Sequence, residues 1–292
     1  MKKIKLLTLL FLSLTLQTFA FQDMSDVEIK VIPVSEHIYM LMGNGGNIGI
    51  STGEDGVFMI DDEFVPLSQK ILDAIKTISD KPVKFLANTH FHGDHTGGNT
   101  NFEQEGAIIL AQENVRKRLS EKQQDGLPVI TFNEDVMIHI NGDDILATHV
   151  HNAHTDGDSM IYFPQSNVLH TGDTFFNGSF PFIDLSSGGS VAGDIEAGKA
   201  GLMLINDDTK IIPGHGTLAT KADYEKYVNM LTSIQANVLR EIEAGASEED
   251  VVANEALTSK FYTDEAVKNA FINGPKIRET FYKSLTAKNN HK

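Results

Sequence analysis

The chain has 292 residues, no cysteine, and 24 Lys and Arg against 40 Asp and Glu, a formal balance of −16. Nucleic acid and anionic membranes need clustered positive charge, so neither is expected as a partner, and without cysteine there is no disulfide and no lipidated amino-terminal cysteine. The apolar content of 41% suffices for one large core.

Residues 1–20 read as an export signal: Lys2, Lys3 and Lys5 form a basic start, Leu6 to Leu16 an apolar core, and Thr18-Phe19-Ala20 a cleavage site. As a membrane span the segment is short, since a helix needs about 20 apolar residues. Its removal leaves 21 basic against 40 acidic residues, a balance of −19. The expected location is periplasmic or secreted, with no stable membrane insertion after cleavage. No proline-rich or low-complexity linker interrupts the rest, so residues 21–292 are expected to form a single domain.

Residues 28–62 alternate apolar and polar positions and break at Gly43-Asn44-Gly45-Gly46 and Gly53-Glu54-Asp55-Gly56, the pattern of hairpin-linked strands. Pro66 can open a helix, and Leu67, Ile71, Leu72, Ile75 and Ile78 recur at helical spacing up to Pro82. A strand over 83–87 leads into Thr89-His90-Phe91-His92-Gly93-Asp94-His95. Four metal-competent side chains in six residues form a dense donor run. Alternate side chains of an extended segment point the same way, so His90 and His92 can chelate one ion while Asp94 and His95, beyond the turn at Gly93, reach a second.

Further on, 107–110 reads as a strand and 113–122 as a helix, followed by short strands over 136–140, 145–150, 160–163 and 168–170. His154, Asp173 and His215 each lie close to a short apolar run with turn residues beside it, so the donors converge at one sheet edge. Phe175 to Phe182 is an apolar loop that either packs over the sheet or walls a pocket. A helix is expected over 194–204 and a strand over 210–212; Thr220, three residues before Asp223, marks the start of a helix with Tyr224, Tyr227, Met230, Leu231, Ile234 and Val238 on one face. From Ser247 two or three short helices follow without a defined role. His151 is an alternative to His154 as the third donor; His170 is expected to pack or to donate to a carboxylate, and His37, His139 and His291 to be structural or exposed.

The His-x-His-x-Asp-His run, then His154-Thr155, Gly172-Asp173 and Pro213-Gly214-His215-Gly216, in that order, resemble the metallo-β-lactamase superfamily over roughly residues 28–240. The resemblance implies that His90, His92 and His154 hold one zinc, that Asp94, His95 and His215 hold the other, that Asp173 bridges both, and that Asp61 supports the first loop from behind. It also turns a layered α/β reading into a four-layer αβ/βα sandwich of two mixed β-sheets flanked by helices, with carboxy-terminal helices from about residue 222. Histidine and carboxylate donors without thiolate suit Zn²⁺, although iron and manganese accept the same set.

Oxygen-reducing relatives carry glutamate where His92 stands, so the resemblance implies hydrolysis. Two ions sharing a solvent oxygen bring its pKa towards neutrality and supply hydroxide, with Asp94 handling the proton. The thiolate-containing β-lactamases have cysteine in place of Asp173 and lysine three residues on, where this chain has Phe176. Glutathione thioesterases share the bridging aspartate but use a basic pocket. The expected function is therefore an exported zinc hydrolase acting on an ester, thioester, lactone or lactam carbonyl of a small molecule. The alternatives are a β-lactamase and a non-catalytic exported metal-binding protein.

Overall fold

The computed structural model describes residues 24–287, so the expected leader and His291 lie outside the described residues. The first sheet contains β1 (Lys30–Pro33), β2 (Ile38–Met42), β3 (Ile48–Ser51), β4 (Val57–Ile60), β5 (Val83–Asn88), β6 (Ile108–Gln112) and β7 (Ile130–Phe132) in sequential order. Its first four strands are antiparallel hairpins, and β4 to β7 run parallel. The connections carry α1 (Ser68–Lys76), the short α2 (Gly93–Thr96) and α3 (Asn99–Gln104), and α4 (Glu113–Glu121).

The second sheet has β8 (Asp135–Ile140), β9 (Asp143–His149), β10 (Ser159–Phe163), β11 (Val168–His170), β12 (Lys210–Ile212) and β13 (Ala219–Thr220) in the order β13-β12-β11-β10-β9-β8. Only β11 and β12 are parallel, because α5 (Val191–Leu204) returns the chain between them. Helices α6 (Lys221–Glu243), α7 (Glu248–Ala253) and α8 (Gly274–Ala287) complete the described chain. Among the described residues no helix is long and apolar enough to cross a membrane.

The period-2 alternation of strands sorts side chains into layers. Phe58 and Ile60 of β4 point inward and join Ile161, Phe163, Val168 and Ile212 of the opposite sheet, whereas Val57 and Met59 point outward onto Leu67, Ile71 and Ile75. Leu169 and Ile211 turn the other way and meet Val191, Leu231, Ile234 and Phe281. The four-layer sandwich of mixed sheets is therefore the observed fold.

Element boundaries differ in places. Pro66 sits in a 3-10 turn, and α1 stops at Lys76, two residues before Ile78. Helix α5 starts at Val191 rather than 194 because the Ser190 hydroxyl accepts from the Gly193 amide at 3.0 Å. The start of α6 is as expected: Thr220 and Asp223 form a reciprocal capping box. The short α2 and α3 have no apolar period to announce them, α3 burying only Asn99 and Phe102.

Candidate metal centre

All seven expected donors reach one edge of the sandwich, from the segment after β5 (His90, His92, Asp94, His95), the β9–β10 loop (His154) and the ends of β11 (Asp173) and β12 (His215). They fall into two adjoining groups able to hold a cation: His90, His92, His154 and Asp173, and Asp94, His95 and His215. In the first, His92 Nδ1 lies 3.1 Å from His90 Nε2 and 2.9 Å from His154 Nε2. Asp173 belongs to both groups in space: Oδ2 is 3.6 Å from His154 Nε2 and 3.4 Å from His215 Nε2, and Oδ1 is 3.1 Å from His95 Nε2.

Each of four imidazoles is fixed through its other nitrogen. His95 Nδ1 donates to Asp61 Oδ2 at 2.8 Å, His154 Nδ1 to the Phe182 carbonyl at 2.6 Å, and His92 Nε2 to Asp184 Oδ2 at 3.2 Å. The Thr89 hydroxyl donates to Asp61 Oδ2 at 2.7 Å, which leaves its oxygen to accept from His90 Nδ1 at 3.0 Å. Outer bonds of this kind set ring orientation and tautomer in metal sites. The inward atoms His95 Nε2 and Asp173 Oδ1, although 3.1 Å apart, are not aligned for a hydrogen bond to each other, and both are buried without another partner. Buried polar atoms are rarely left so, and a divalent cation between the groups satisfies them. The donor set fits such an ion.

The protonation pattern agrees with this fit. Burial holds His90 well below the usual imidazole range, and burial lowers His154 to about 4 against the pull of Asp173, so both rings are neutral donors. His215 behaves oppositely. Burial would lower it, but Asp173 and then Asp94 raise it to about 9. Burial likewise opposes ionisation of Asp173, yet His215 and His95 keep its carboxyl well below the ordinary range.

The backbone is shaped to let these groups meet. Asp61 adopts a positive φ of 59° and also accepts from the Thr89 amide at 2.7 Å, pinning the donor loop. Asp158 repeats this device, accepting from the Thr155 amide at 2.7 Å beside His154. A Cβ at Gly46 would stand 2.1 Å from the His95 ring, and one at Gly214 2.1 Å from Asp173 Oδ1, so only glycine allows these approaches.

The structure places His154, not His151, beside His90 and His92: His151 is exposed and pairs with Glu134 at 3.0 Å. His170 is buried as expected, but its Nε2 meets the Asn47 carbonyl at 3.1 Å rather than a carboxylate. His37 and His139 are exposed. Three positioning residues carry no distinct sequence signal. Asp184 is 92 positions from the His92 it holds. Asn47 donates from its side-chain amide to the Pro213 and Gly216 carbonyls, both at 2.8 Å, tying the first sheet to the His215 loop. Glu63 accepts from the Asn44 and Gly45 amides at 3.0 and 2.9 Å and holds the β2–β3 loop against Asp94.

The loop 175–182 does both things expected of it. Phe175 packs on Tyr224 and Tyr227, while Phe176, Phe180 and Phe182 line a cavity of about 590 Å³ whose floor includes His92, Asp94, Asp173 and His215. Phe176 stacks on the His215 ring at 4.9 Å. The far wall comes from Ala270, Phe271 and Ile272, which gives the carboxy-terminal region the role its sequence left undefined.

The family model described as the metallo-beta-lactamase superfamily matches residues 43–216. The chain is 30% identical over 131 residues to the 2,4-dinitroanisole O-demethylase subunit alpha of Nocardioides sp. (43% of this chain, 40% of that protein), and 29% over 106 residues to the hydroxyacylglutathione hydrolase of Pelagibacter ubique (35% and 41%). It thus spans about two-fifths of the length of both. It is 23% identical over 248 residues to the Beta-lactamase-like protein 2 homolog of Caenorhabditis elegans (81% and 75%). The solved metallo-beta-lactamase from Pontibacter korlensis shares the fold with a TM-score of 0.63 at 20% identity, over 70% of this chain and 99% of that one. The family match covers more than half of the chain and includes all seven donor positions, His90 through His215, so the chain belongs to the metallo-beta-lactamase superfamily.

Proposed function

We propose that the protein is an exported metal-dependent hydrolase that uses two Zn²⁺ ions to cleave an ester, thioester, lactone or lactam carbonyl of a small molecule. The observation that carries this reading is the pair of donor groups sharing Asp173 at the floor of an apolar cavity. Two ions held there supply Lewis acidity for the carbonyl and an activated water for the attack. Asp94 lines the cavity with its carboxyl ionised and takes the proton released as water adds. The phenylalanines keep bulk water from the reacting carbonyl. Relatives with the same fold bear names that specify different bonds, so the bond cleaved is not carried over from any one of them.

Calorimetric titration of chelator-treated protein with Zn²⁺ at pH 7, in buffers of different ionisation enthalpy, tests the binuclear reading. Two equivalents are expected. Filling the group with three neutral imidazoles should release almost no proton, whereas in the other group, against burial, Asp173 and Asp94 raise His215 to about 9 and hold His95 well above the usual imidazole range, so both are protonated at pH 7. Its occupation should therefore expel about two protons. His92→Ala and His215→Ala should each abolish a different event. A ceiling of one equivalent in excess zinc would reject the proposal.

Export is supported by the basic start, apolar core and small residue at Ala20. Mature protein recovered from the envelope or medium should begin at Phe21, within a residue or two. An intact amino terminus on a soluble cytoplasmic form would overturn this part and restore the intracellular thioester reading.

A further inference from the structure

The cavity above the donors is unusually one-sided in chemistry. Five phenylalanines, Ala270 and Ile272 form its wall; among the described residues, apart from the four donor side chains, Ser179 is the single polar side chain in the lining, and no lysine or arginine contributes. Phe271 is 72% exposed at the mouth, yet it meets Phe182 edge to face at 5.6 Å, and Phe182 in turn stacks on the donor His92 at 5.8 Å. An aromatic path therefore runs from solvent to the metal groups.

Neighbouring cations do not alter this character. Lys276 stands over the Phe271 ring, but its ammonium donates to the Phe271 carbonyl at 2.9 Å and so fixes the segment. Arg118 and Lys122 occupy a separate cleft beyond His92 and Phe182, where Glu121 and Asp184 accompany them and Asp156 takes the Arg118 guanidinium through two bonds. An anionic substrate arm would leave water without a counter-charge, which is costly, and would approach a chain of net charge −16.

We infer that the site recognises uncharged carbonyl compounds bearing an aliphatic or aromatic arm, and that Phe271, in a segment outside the family-matched residues 43–216, clamps that arm against Phe182 and Ile272. This rests on the hydrolase reading for the reaction, hydrolysis of a neutral ester or lactone to acid and alcohol, but the recognition itself is measurable without turnover.

The test uses full-length zinc-loaded protein and Phe271→Ala, a change at an exposed position that leaves the core intact. Binding of the neutral fluorophore N-phenyl-1-naphthylamine is read first, with methyl octanoate and monomethyl suberate as competitors of equal chain length that differ by a terminal carboxylate. Turnover of methyl butanoate, methyl octanoate and monomethyl suberate is then followed by acid release. The probe should bind at one site and be displaced by methyl octanoate at least about tenfold better than by monomethyl suberate. With roughly threefold gained per buried methylene, kcat/KM should rise on the order of 10²-fold from butanoate to octanoate. Phe271→Ala should cut both the probe affinity and that ratio by about tenfold. Absence of probe binding, equal competition by the carboxylate-ended ester, or a Phe271→Ala variant with unchanged affinity would each overturn the inference. Selective binding with no ester cleaved would instead refute the ester part of the hydrolase reading and leave the ligand class standing.

Discussion

Asp94→Asn should lower turnover by roughly 10²- to 10⁴-fold, the range for loss of a general acid or base. Asp94 Oδ2 lies 3.4 Å from His215 Nε2 and 3.7 Å from His95 Nε2, and the side chain is 27% exposed where it faces the cavity. Burial would raise its pKa, but His95 and His215 hold it below the usual carboxylate value, so it is ionised and able to accept a proton. Asparagine keeps the shape and removes that capacity. Because Asp94 also belongs to a donor group, rates are to be compared at saturating zinc, with zinc content measured on the same sample. A fully loaded variant retaining activity within about threefold of the parent would move the proton-handling role away from Asp94.

Arg278→Met should cost about 3 kcal/mol, at the lower end for breaking a buried ion pair by removing one partner. Arg278 is 1% exposed; its guanidinium donates to both oxygens of Asp264 at 2.8 Å, to the Val252 carbonyl at 2.8 Å and to the Thr258 hydroxyl at 2.8 Å. Methionine fills much of the volume but satisfies none of these acceptors. Asp264 is one-third exposed and regains water, which is why the cost stays at the lower end. For a chain of this size the loss corresponds to a Tm lower by about 5 °C, measurable by calorimetry. An unchanged Tm would show that α7, α8 and the segment between them are held by apolar packing alone.

The contiguous run from His90 to His95 was legible because it needs no tertiary information: a strand, a turn and four donors appear side by side. His154, Asp173 and His215 could be chosen because each follows an apolar run, and the layers could be inferred from alternation such as Val57 to Ile60. Asp184 and Asn47 could not, since each acts on a residue or loop more than ninety positions away and an isolated Asp or Asn has no periodicity. Helix α3 was missed for a related reason, being too short to show a turn-spaced stripe. The part played by Phe271 depended on where a mostly irregular segment returns in space, which local pattern does not encode.

One consequence follows from where the donors originate. His90, His92, Asp94 and His95 arrive from the first sheet, and His154, Asp173 and His215 from the second. Neither half carries a complete set for either group, so an ion bound there is a rivet between the two sheets. Ions that bind the folded chain in preference to the unfolded one shift the folding equilibrium by mass action. Scarcity of metal would then register as faster opening of the sandwich and easier proteolysis, and the abundance of the protein would follow metal supply even where its synthesis does not.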